Sequence, residues 1–346
     1  MRIGILGHFG GKENFTDGQT VKVKSLCNAL RKYCKDLNID VVDTYYMRHN
    51  RLKLFVSFLR MLFLDKIIIF LPAFGGRKIL FQVFYYLSKY CGKSVYHDCI
   101  AGSLDKELQE HPKWIKYLNQ FEENWMESPQ QVERLKKMGI KNVAYIANFK
   151  DLQHVSCEEM QSIKHVPPYR FCIFSRVEPM KGIEDALIAI QKANEKRESY
   201  AILDIYGPIQ HGYEDWFNEM KIKYAGLFNY KGVCHPNQSV QVLKDYFALI
   251  FSTRYFTEGM PGTIIDAMFS GLPVIARKWA WCDNMVKNDY NGIVYDFEKP
   301  ELLNDIIINV CNNPEIILRM KENCILESDR YSEKNVIVYI LNKLKL

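Results

Sequence analysis

The chain has 346 residues, of which 48% are hydrophobic and 25% are charged. This length exceeds one ordinary domain and suits two, and the composition excludes an intrinsically disordered chain. The formal net charge is +6, but residues 48–90 hold eight Lys/Arg against a single acid, Asp65. Because the basicity is local, it indicates a local partner: a membrane surface, an anionic substrate or nucleic acid.

Ten cysteines occur singly, without a Cys-x-x-Cys pair or a Cys/His spacing of the kind that binds zinc. The first residues, MRIGILGHFG, lack the layout of a signal peptide, and no uncharged apolar run approaches the ~18 residues of a membrane span. We therefore expect a cytoplasmic protein with reduced thiols and no metal site.

Short apolar runs alternate with amphipathic stretches, which predicts alternating strands and helices and mostly parallel sheets. A Gly-rich loop (8–19) follows the first strand, and Thr16 or Asp17 is expected to cap the next helix. The predicted strands of this first series are 2–6, 39–46, 66–72, 94–98, 124–129 and 142–149, and its helices are 20–33, 51–64, 79–90 and 130–139.

The polar segment 150–168 ends in Pro167-Pro168 and is interpreted as a linker. A second alternating series then begins at residue 169. We place a Rossmann-like domain at 1–155, another at 165–330, and an amphipathic helix at 331–346 that returns to the first domain. The predicted fold is α/β, with two doubly wound domains facing a central cleft at the carboxyl ends of their strands.

Arg176 and Lys181 lie directly after the first strand of the second domain. Two cations at this place can stabilise the charge that develops on a diphosphate leaving group, although two ordinary surface cations would look the same. Glu258 follows another strand, and Gly259 and Gly262 precede the start of a helix whose N–H groups can face an anion. Asp266, eight residues after Glu258, can accept hydrogen bonds from a ribose diol or lie solvated on the helix.

Together these motifs, FSRVEPMKG (174–182) and FTEGMPGTIIDAM (256–268), resemble the Arg-x4-Lys and Glu-x7-Glu signatures of family 4 retaining glycosyltransferases of the GT-B fold. IYGP, with Gly207, resembles the family's strand end before the nucleotide pocket. DGQT, with Gly18, resembles its Gly-rich turn before the first helix. The resemblance covers nearly all of the second domain and, more loosely, the first.

The resemblance implies a role for each matching residue. Arg176 and Lys181 would bind the donor diphosphate, while Glu258 and the backbone of Met260, Pro261, Gly262 and Thr263 would hold the donor sugar and its phosphates. Asp266 would bind the ribose, although the family usually has the longer Glu at this position. The donor is a nucleotide sugar, and no cofactor or metal is implied.

In the first domain, His97 ends a strand and is a candidate for orienting an acceptor hydroxyl, or else a satisfied histidine of the core. Gly10 and Gly11 lie on the first loop, either as a plain turn or as a close approach to ligand. In helix 51–64, Phe55, Phe58, Leu59, Leu62 and Phe63 form an apolar face flanked by basic residues. That face either packs into the core or lies on an anionic membrane, and no motif supports nucleic acid.

The predicted function is retaining transfer of a hexose from a nucleotide-diphosphate sugar to a lipid-linked or polysaccharide acceptor. The natural setting is bacterial surface polysaccharide biosynthesis, in the cytoplasm or peripherally on the inner membrane face. Two alternatives stay open: a sugar-nucleotide epimerase of the same fold, and a non-catalytic membrane-recruited subunit.

Overall fold

The computed structural model describes residues 1–13, 18–72, 74–100, 102–197 and 200–346. The chain divides into two compact units. Unit 1 comprises Met1–Asp151 and Arg330–Leu346, and unit 2 comprises Leu152–Asp329. The predicted caps Thr16 and Asp17 lie outside the described residues.

Unit 1 contains a six-stranded sheet in the order β2-β1-β3-β4-β5-β6, and every pairing in it is parallel. The strands are β1 (Arg2–Gly7), β2 (Asn38–Asp43), β3 (Ile67–Phe70), β4 (Ser94–Asp98), β5 (Glu123–Met126) and β6 (Val143–Tyr145). The helices between them are α1 (Gly18–Tyr33), α2 (Tyr46–His49), α3 (Arg51–Leu64), α4 (Phe74–Cys91), α5 (Leu104–Glu110), α6 (Lys113–Leu118) and α7 (Pro129–Lys137).

Unit 2 contains a second six-stranded parallel sheet, in the order β12-β11-β10-β7-β8-β9. Its strands are β7 (Tyr169–Phe174), β8 (Ala201–Tyr206), β9 (Phe228–Gly232), β10 (Ala248–Phe251), β11 (Val274–Arg277) and β12 (Gly292–Tyr295). Its helices are α8 (Cys157–Ser162), α9 (Ile183–Lys196), α10 (Glu214–Lys223), α11 (Ser239–Leu243), α12 (Gly262–Phe269), α13 (Leu302–Asn312), α14 (Glu315–Leu318) and α15 (Lys321–Ser328).

Both sheets are doubly wound, as the alternating pattern predicted. The inner strands β3 and β10 are continuous apolar runs, and all residues of β3, β10 and β11 are buried, because helices cover both faces of a parallel sheet. In unit 2 the strand order reverses between β7 and β10, and in unit 1 it reverses between β1 and β3. Loops that follow strands at such a switch point diverge and leave room for a ligand.

Most of the segment that was predicted to be a linker, residues 152–168, belongs to unit 2. The Ser156 hydroxyl accepts the N–H of Glu159 and so caps α8. Met160 is buried, and the N–H of Val155 donates to the carbonyl of Phe269. The polar composition of residues 150–168 hid this helix because its anchoring contacts lie far away in the sequence.

The last helix, α16 (Glu333–Leu344), belongs to unit 1. Lys343 Nζ lies 2.6 Å from Glu123, and Lys32 Nζ on α1 lies 2.7 Å from Glu333. The buried residues Val336, Ile337 and Ile340 form the helix face that packs inward. Among the described residues, no helix is long and apolar enough to cross a membrane.

Lys321 on α15 generates a prediction about stability and pH. The side chain is buried, and within the described part of the chain its ammonium has no hydrogen-bond partner. Burial lowers the pKa of Lys321 from 10.5 to about 8. Between these two pH values the unfolded chain binds a proton that the folded chain does not, so this group makes stability rise with pH across the window.

We expect Lys321→Met to stabilise unit 2 near pH 7 by about 3 kcal/mol, because an apolar side chain has no ammonium to desolvate. The advantage should shrink as the pH approaches 10.5, and urea unfolding at several pH values measures it. Lys192→Met on the exposed face of α9 is the matched control and should change little. A Lys321→Met variant that is less stable than the wild type at pH 7 would contradict the expectation.

Candidate functional site

Two loops of unit 2 meet at the switch point between β7 and β10. Arg176 and Lys181 follow β7, and Glu258 follows β10. Lys181 Nζ lies 2.9 and 3.2 Å from the two carboxylate oxygens of Glu258. The Lys181 side chain is only 10% exposed, so this ion pair is poorly screened by water. Residues 77 positions apart in the sequence thus form one centre.

Further side chains that sequence reasoning missed hold this ion pair in place. The Thr253 hydroxyl donates to Glu258 Oε2 at 3.0 Å, and the Tyr255 ring centroid lies 5.0 Å from Lys181 Nζ. Both residues follow β10, so their position after a predicted strand was the available signal. They limit the rotamers that Lys181 and Glu258 can adopt.

Arg176 lies at the more open side of the same loop, with 46% of its side chain exposed. One guanidinium nitrogen donates to Gln210 Oε1 at 3.2 Å, and another lies 3.5 Å from Glu178. Glu178 is buried and accepts from the Tyr255 hydroxyl at 3.4 Å. Burial, and next the charge of Glu178, raises the pKa of Tyr255, so its hydroxyl stays protonated as a donor. The exposed part of the Arg176 side chain leaves its guanidinium within reach of a ligand.

Two glycines allow the strand ends to pack closely. Gly182 has φ +68°, and a Cβ there would lie 1.9 Å from the carbonyl oxygen of Ser252. Gly207 has φ +131°, and a Cβ there would lie 1.8 Å from the carbonyl oxygen of Ser175. Only glycine fits either place, because both the space and the backbone conformation exclude a side chain. Gly207 thus packs against the carbonyl of Ser175, next to Arg176, and its predicted ligand role stays a prediction.

The start of α12 faces the same edge. Pro261 precedes the helix and Gly262 is its first residue. The Thr263 hydroxyl is buried and, among the described residues, has no hydrogen-bond partner. Lys181, Thr253 and Thr263 together line a small pocket at the ends of β7 and β10. Anions are bound by cations, by hydroxyl donors and by the first N–H groups of a helix. This pocket offers all three, so it has the composition of an anion-binding site.

At Gly259 and Met260, only the backbone is available to a ligand. The Gly259 carbonyl accepts from Trp279 Nε1 at 3.3 Å, and the Met260 side chain is buried. Asp266 is buried as well, and its Oδ1 accepts from the Ser239 hydroxyl at 2.9 Å. Ser239 is the first residue of α11 and is another residue that the sequence did not single out. The ribose role of Asp266 stays a prediction.

The placement of His97 disagrees with its predicted contact to an acceptor hydroxyl. The ring is fully buried, with ring centroids of Phe70 and Phe81 at 5.1 and 4.9 Å. Its Nδ1 lies 3.3 Å from Asn124 Oδ1. Burial, with the charges of Arg77 and Lys22, lowers the pKa of His97 well below its usual value. This burial agrees with the core alternative that the sequence left open, except that His97 Nε2 has no hydrogen-bond partner among the described residues.

The polar group at this edge of unit 1 is an ion cluster. Lys22 on α1 lies 2.6 Å from Asp98 and 3.0 Å from Glu127, and all three residues are buried. Burial alone would lower the pKa of Lys22, but the two carboxylates outweigh it and raise that pKa. The cluster joins the carboxyl ends of β4 and β5 to the first turns of α1.

The first loop of unit 1 is held by one carboxylate. Asp43, at the end of β2, accepts the N–H groups of Phe9 and Gly11, each at 2.8 Å. Gly10 and Gly11 both have positive φ, and a Cβ on Gly11 would lie 2.7 Å from the Tyr45 ring. The close approach at Gly11 is therefore made by Tyr45. Gly18 is the first residue of α1, and the ligand roles of all three glycines stay predictions.

The comparisons with known proteins agree with this architecture. The fold matches HepE from Anabaena, solved with UDP, at 16% identity over 100% of both chains with a TM-score of 0.76. It also matches sucrose-phosphate synthase from Thermosynechococcus elongatus, at 13% identity over 99% of this chain and 98% of that one, with a TM-score of 0.75. S. aureus TarM matches at 17% identity over 80% of this chain and 55% of its own, with a TM-score of 0.62.

These likenesses establish the fold, which is GT-B, the two-domain glycosyltransferase architecture. Residues 158–326 match the model of the family described as Glycosyl transferases group 1, so unit 2 is a domain of that family. The resemblance drawn from the motifs is confirmed at this level, and membership of family 4 stays a prediction. A comparison with curated protein sequences gave no significant match.

The contact between Gly182 and Ser252 generates a prediction about stability. Gly182→Ala should destabilise the protein by roughly 3 kcal/mol, since a left-handed alanine and a clash with Ser252 add together. Gly226→Ala is the matched control: φ is +79° but no atom lies within 4 Å, so only about 1 kcal/mol should be lost. Urea unfolding measures both variants. Equal losses would show that the contact with Ser252 is unimportant.

Proposed function

We propose that this protein is a glycosyltransferase that moves a sugar residue from a nucleotide-diphosphate sugar to a hydroxyl of an acceptor. One observation carries the proposal. Lys181 and Glu258 form an ion pair at the β7/β10 switch point, beside Arg176 and the start of α12. This edge offers positive charge for a diphosphate and a carboxylate for sugar hydroxyls.

The chemistry of the leaving group explains why two cations are useful. As the bond between the sugar and the diphosphate breaks, negative charge grows on the phosphate oxygens. Lys181 is held by Glu258, which in turn accepts from the Thr253 hydroxyl, so the ammonium is oriented before the donor binds and reorganises little during the reaction. Arg176, which is more exposed, can form two parallel hydrogen bonds with the phosphates. Glu258 then accepts hydrogen bonds from the donor sugar.

The ligands of structurally similar proteins support this donor class. HepE has also been solved with UDP-glucose, and pneumococcal GtfA, an O-GlcNAc transferase, with UDP and GlcNAc. TarM was solved with UDP and alpha-GlcNAc-glycerol. We propose a nucleotide-activated hexose as the donor of this protein too.

Retention of the anomeric configuration is a further part of the proposal. In the scheme that the family resemblance implies, the acceptor attacks from the face that the diphosphate leaves, and a phosphate oxygen takes the acceptor's proton. The protein's residues then only position the reactants and neutralise charge. Arg176, Lys181 and Glu258 are suited to that task, and we propose that no metal ion is required.

For the acceptor we propose a lipid-linked or polysaccharide hydroxyl, in the synthesis of bacterial surface polysaccharide. This role places the protein in the cytoplasm, working peripherally at the inner face of the membrane. Unit 1, which carries the basic window 48–90, would supply the acceptor side.

The donor reaction can be tested without knowing the acceptor. Purified protein should slowly hydrolyse one member of a panel of UDP-glucose, UDP-GlcNAc and GDP-mannose. Lys181→Ala should reduce that rate at least about 100-fold, because charge on the leaving group is left unneutralised. Lys221→Ala, an exposed lysine on α10, is the matched control and should retain the wild-type rate. Released nucleotide, measured by coupled assay, is the readout.

The other outcomes identify the alternatives. Interconversion of the sugar nucleotide without release of nucleotide would indicate an epimerase. Absence of any binding in a thermal-shift screen of the same panel would indicate a non-catalytic subunit. Either result would overturn the proposed transfer.

The same hydrolysis reaction tests the stereochemistry and the metal requirement. Proton NMR of the first-formed free sugar should show the anomer of the donor, since a same-face reaction retains it. Addition of EDTA should leave the rate unchanged, because Lys181 and Arg176 supply the positive charge. An inverted first product, or loss of the rate in EDTA that Mg²⁺ restores, would contradict the respective part of the proposal.

A further inference from the structure

Helix α3 has one broad apolar face, and only one side of it, here called the inner face, packs into unit 1. The inner face packs against the core through its buried residue Met61 and the partly buried Leu54, Phe58 and Leu62. The outer face consists of Leu52, Phe55, Val56 and Phe63, which are 73%, 58%, 57% and 80% exposed. The sequence predicted a single apolar face that mixes members of both.

The outer face is a continuous stripe with positive charge on both sides. At about 100° per residue, the side chains of residues 52, 55, 56 and 63 fall within roughly 100° of arc. On the same wheel Arg51 lies to one side of this stripe, and Lys53 and Arg60 lie to the other. Arg60 Nε is 3.0 Å from Asp40, yet its side chain remains 60% exposed. Lys53 Nζ lies 3.9 Å from the centroid of the Tyr46 ring and is also on the surface.

Helix α4 also carries exposed apolar side chains. Phe58 of α3 and Phe84 of α4 are in ring contact at 6.3 Å, so the two helices approach each other at this point. Ile79, Tyr86 and Tyr90 are exposed on α4. Residues 47–90 carry nine of the twenty exposed large hydrophobic side chains found among the described residues. Scattered single exposures are normal on a protein surface, whereas a concentration of this kind marks an interaction site.

The flanking charges select the partner. Two copies of this face would bring basic residues together and repel each other, which disfavours a dimer through this surface. An anionic bilayer matches both the apolar stripe and the flanking basic residues. Its acyl region can contact the stripe, and its head groups can bind Arg51 and Lys53. Tyrosines such as Tyr86 and Tyr90 suit the boundary between them, because their rings are apolar and their hydroxyls polar.

We propose that the outer face of α3, with the adjoining exposed residues of α4, docks unit 1 on an anionic membrane leaflet. Docking of this kind would hold the acceptor side of the protein at the surface where a lipid-linked acceptor lies. That use rests on the proposed function, whereas the docking itself does not. Neither helix crosses the bilayer in this arrangement: the apolar stripe of α3 lies along the interface.

Flotation on sucrose gradients tests the proposal. Wild-type protein should float with vesicles of phosphatidylcholine and phosphatidylglycerol, and much less with phosphatidylcholine alone. The double variant Phe55→Ser, Phe63→Ser should lower the partition coefficient at least about tenfold, because two apolar anchors are removed. Arg51→Glu with Lys53→Glu should abolish the preference for phosphatidylglycerol. Circular dichroism checks that each variant folds.

The matched control is Ile222→Ser with Leu326→Ser, which removes two exposed apolar side chains from unit 2 and should float like the wild type. Unchanged flotation of the Phe55/Phe63 variant would overturn the proposal, as would wild-type protein that stays off the vesicles. A dimer in sedimentation that this variant dissolves would assign the face to self-association instead. The rate of donor hydrolysis without vesicles should be the same in all of these variants and in the wild type. If no hydrolysis occurs in any of them, the result counts against the proposed function and not against docking.

Discussion

The contact between the loops after β7 and β10 is the constraint on which the site depends. Lys181 reaches Glu258 at 2.9 Å because the two strands are neighbours at the point where the strand order reverses. The approach requires glycine at residue 182, where any Cβ would meet the Ser252 carbonyl oxygen. One small region therefore contains the Lys181–Glu258 pair, the contact between Gly182 and Ser252, and the start of α12. A ligand that binds at one of these groups lies close to the others.

The two units use their buried charges differently. In unit 2, Lys181 pairs with Glu258 in a partly open position, where we propose that the donor diphosphate competes for the ammonium. In unit 1, Lys22 is enclosed by Asp98 and Glu127. Burying three charges costs desolvation energy that apolar residues would avoid, so such a cluster favours a defined arrangement of strand ends over added stability. It ties α1 to β4 and β5 at the edge where the sequence had pointed to His97.

Several parts of this structure were predictable from the sequence. Alternation of apolar runs and amphipathic stretches identified both doubly wound sheets, because strand and helix periods differ strongly. The motifs that include Arg176, Lys181 and Glu258 indicated the resemblance that the family match over residues 158–326 confirms. The role of His97 was not predictable, because strand position does not reveal that Phe70 and Phe81 close over the ring. The helix α8 was missed because its anchors, among them Phe269, are distant in sequence.

The sequence by itself determined the fold class, the chain order of the elements and the residue types at the strand ends. Local propensity and periodicity are properties of neighbours along the chain, and these features follow from them. Only the tertiary structure decided which distant side chains meet, such as Tyr255 and Lys181, and which side of the broad apolar face of α3 is covered. Burial and contact depend on packing between elements, and helical periodicity alone cannot tell a face that packs from a face that stays exposed.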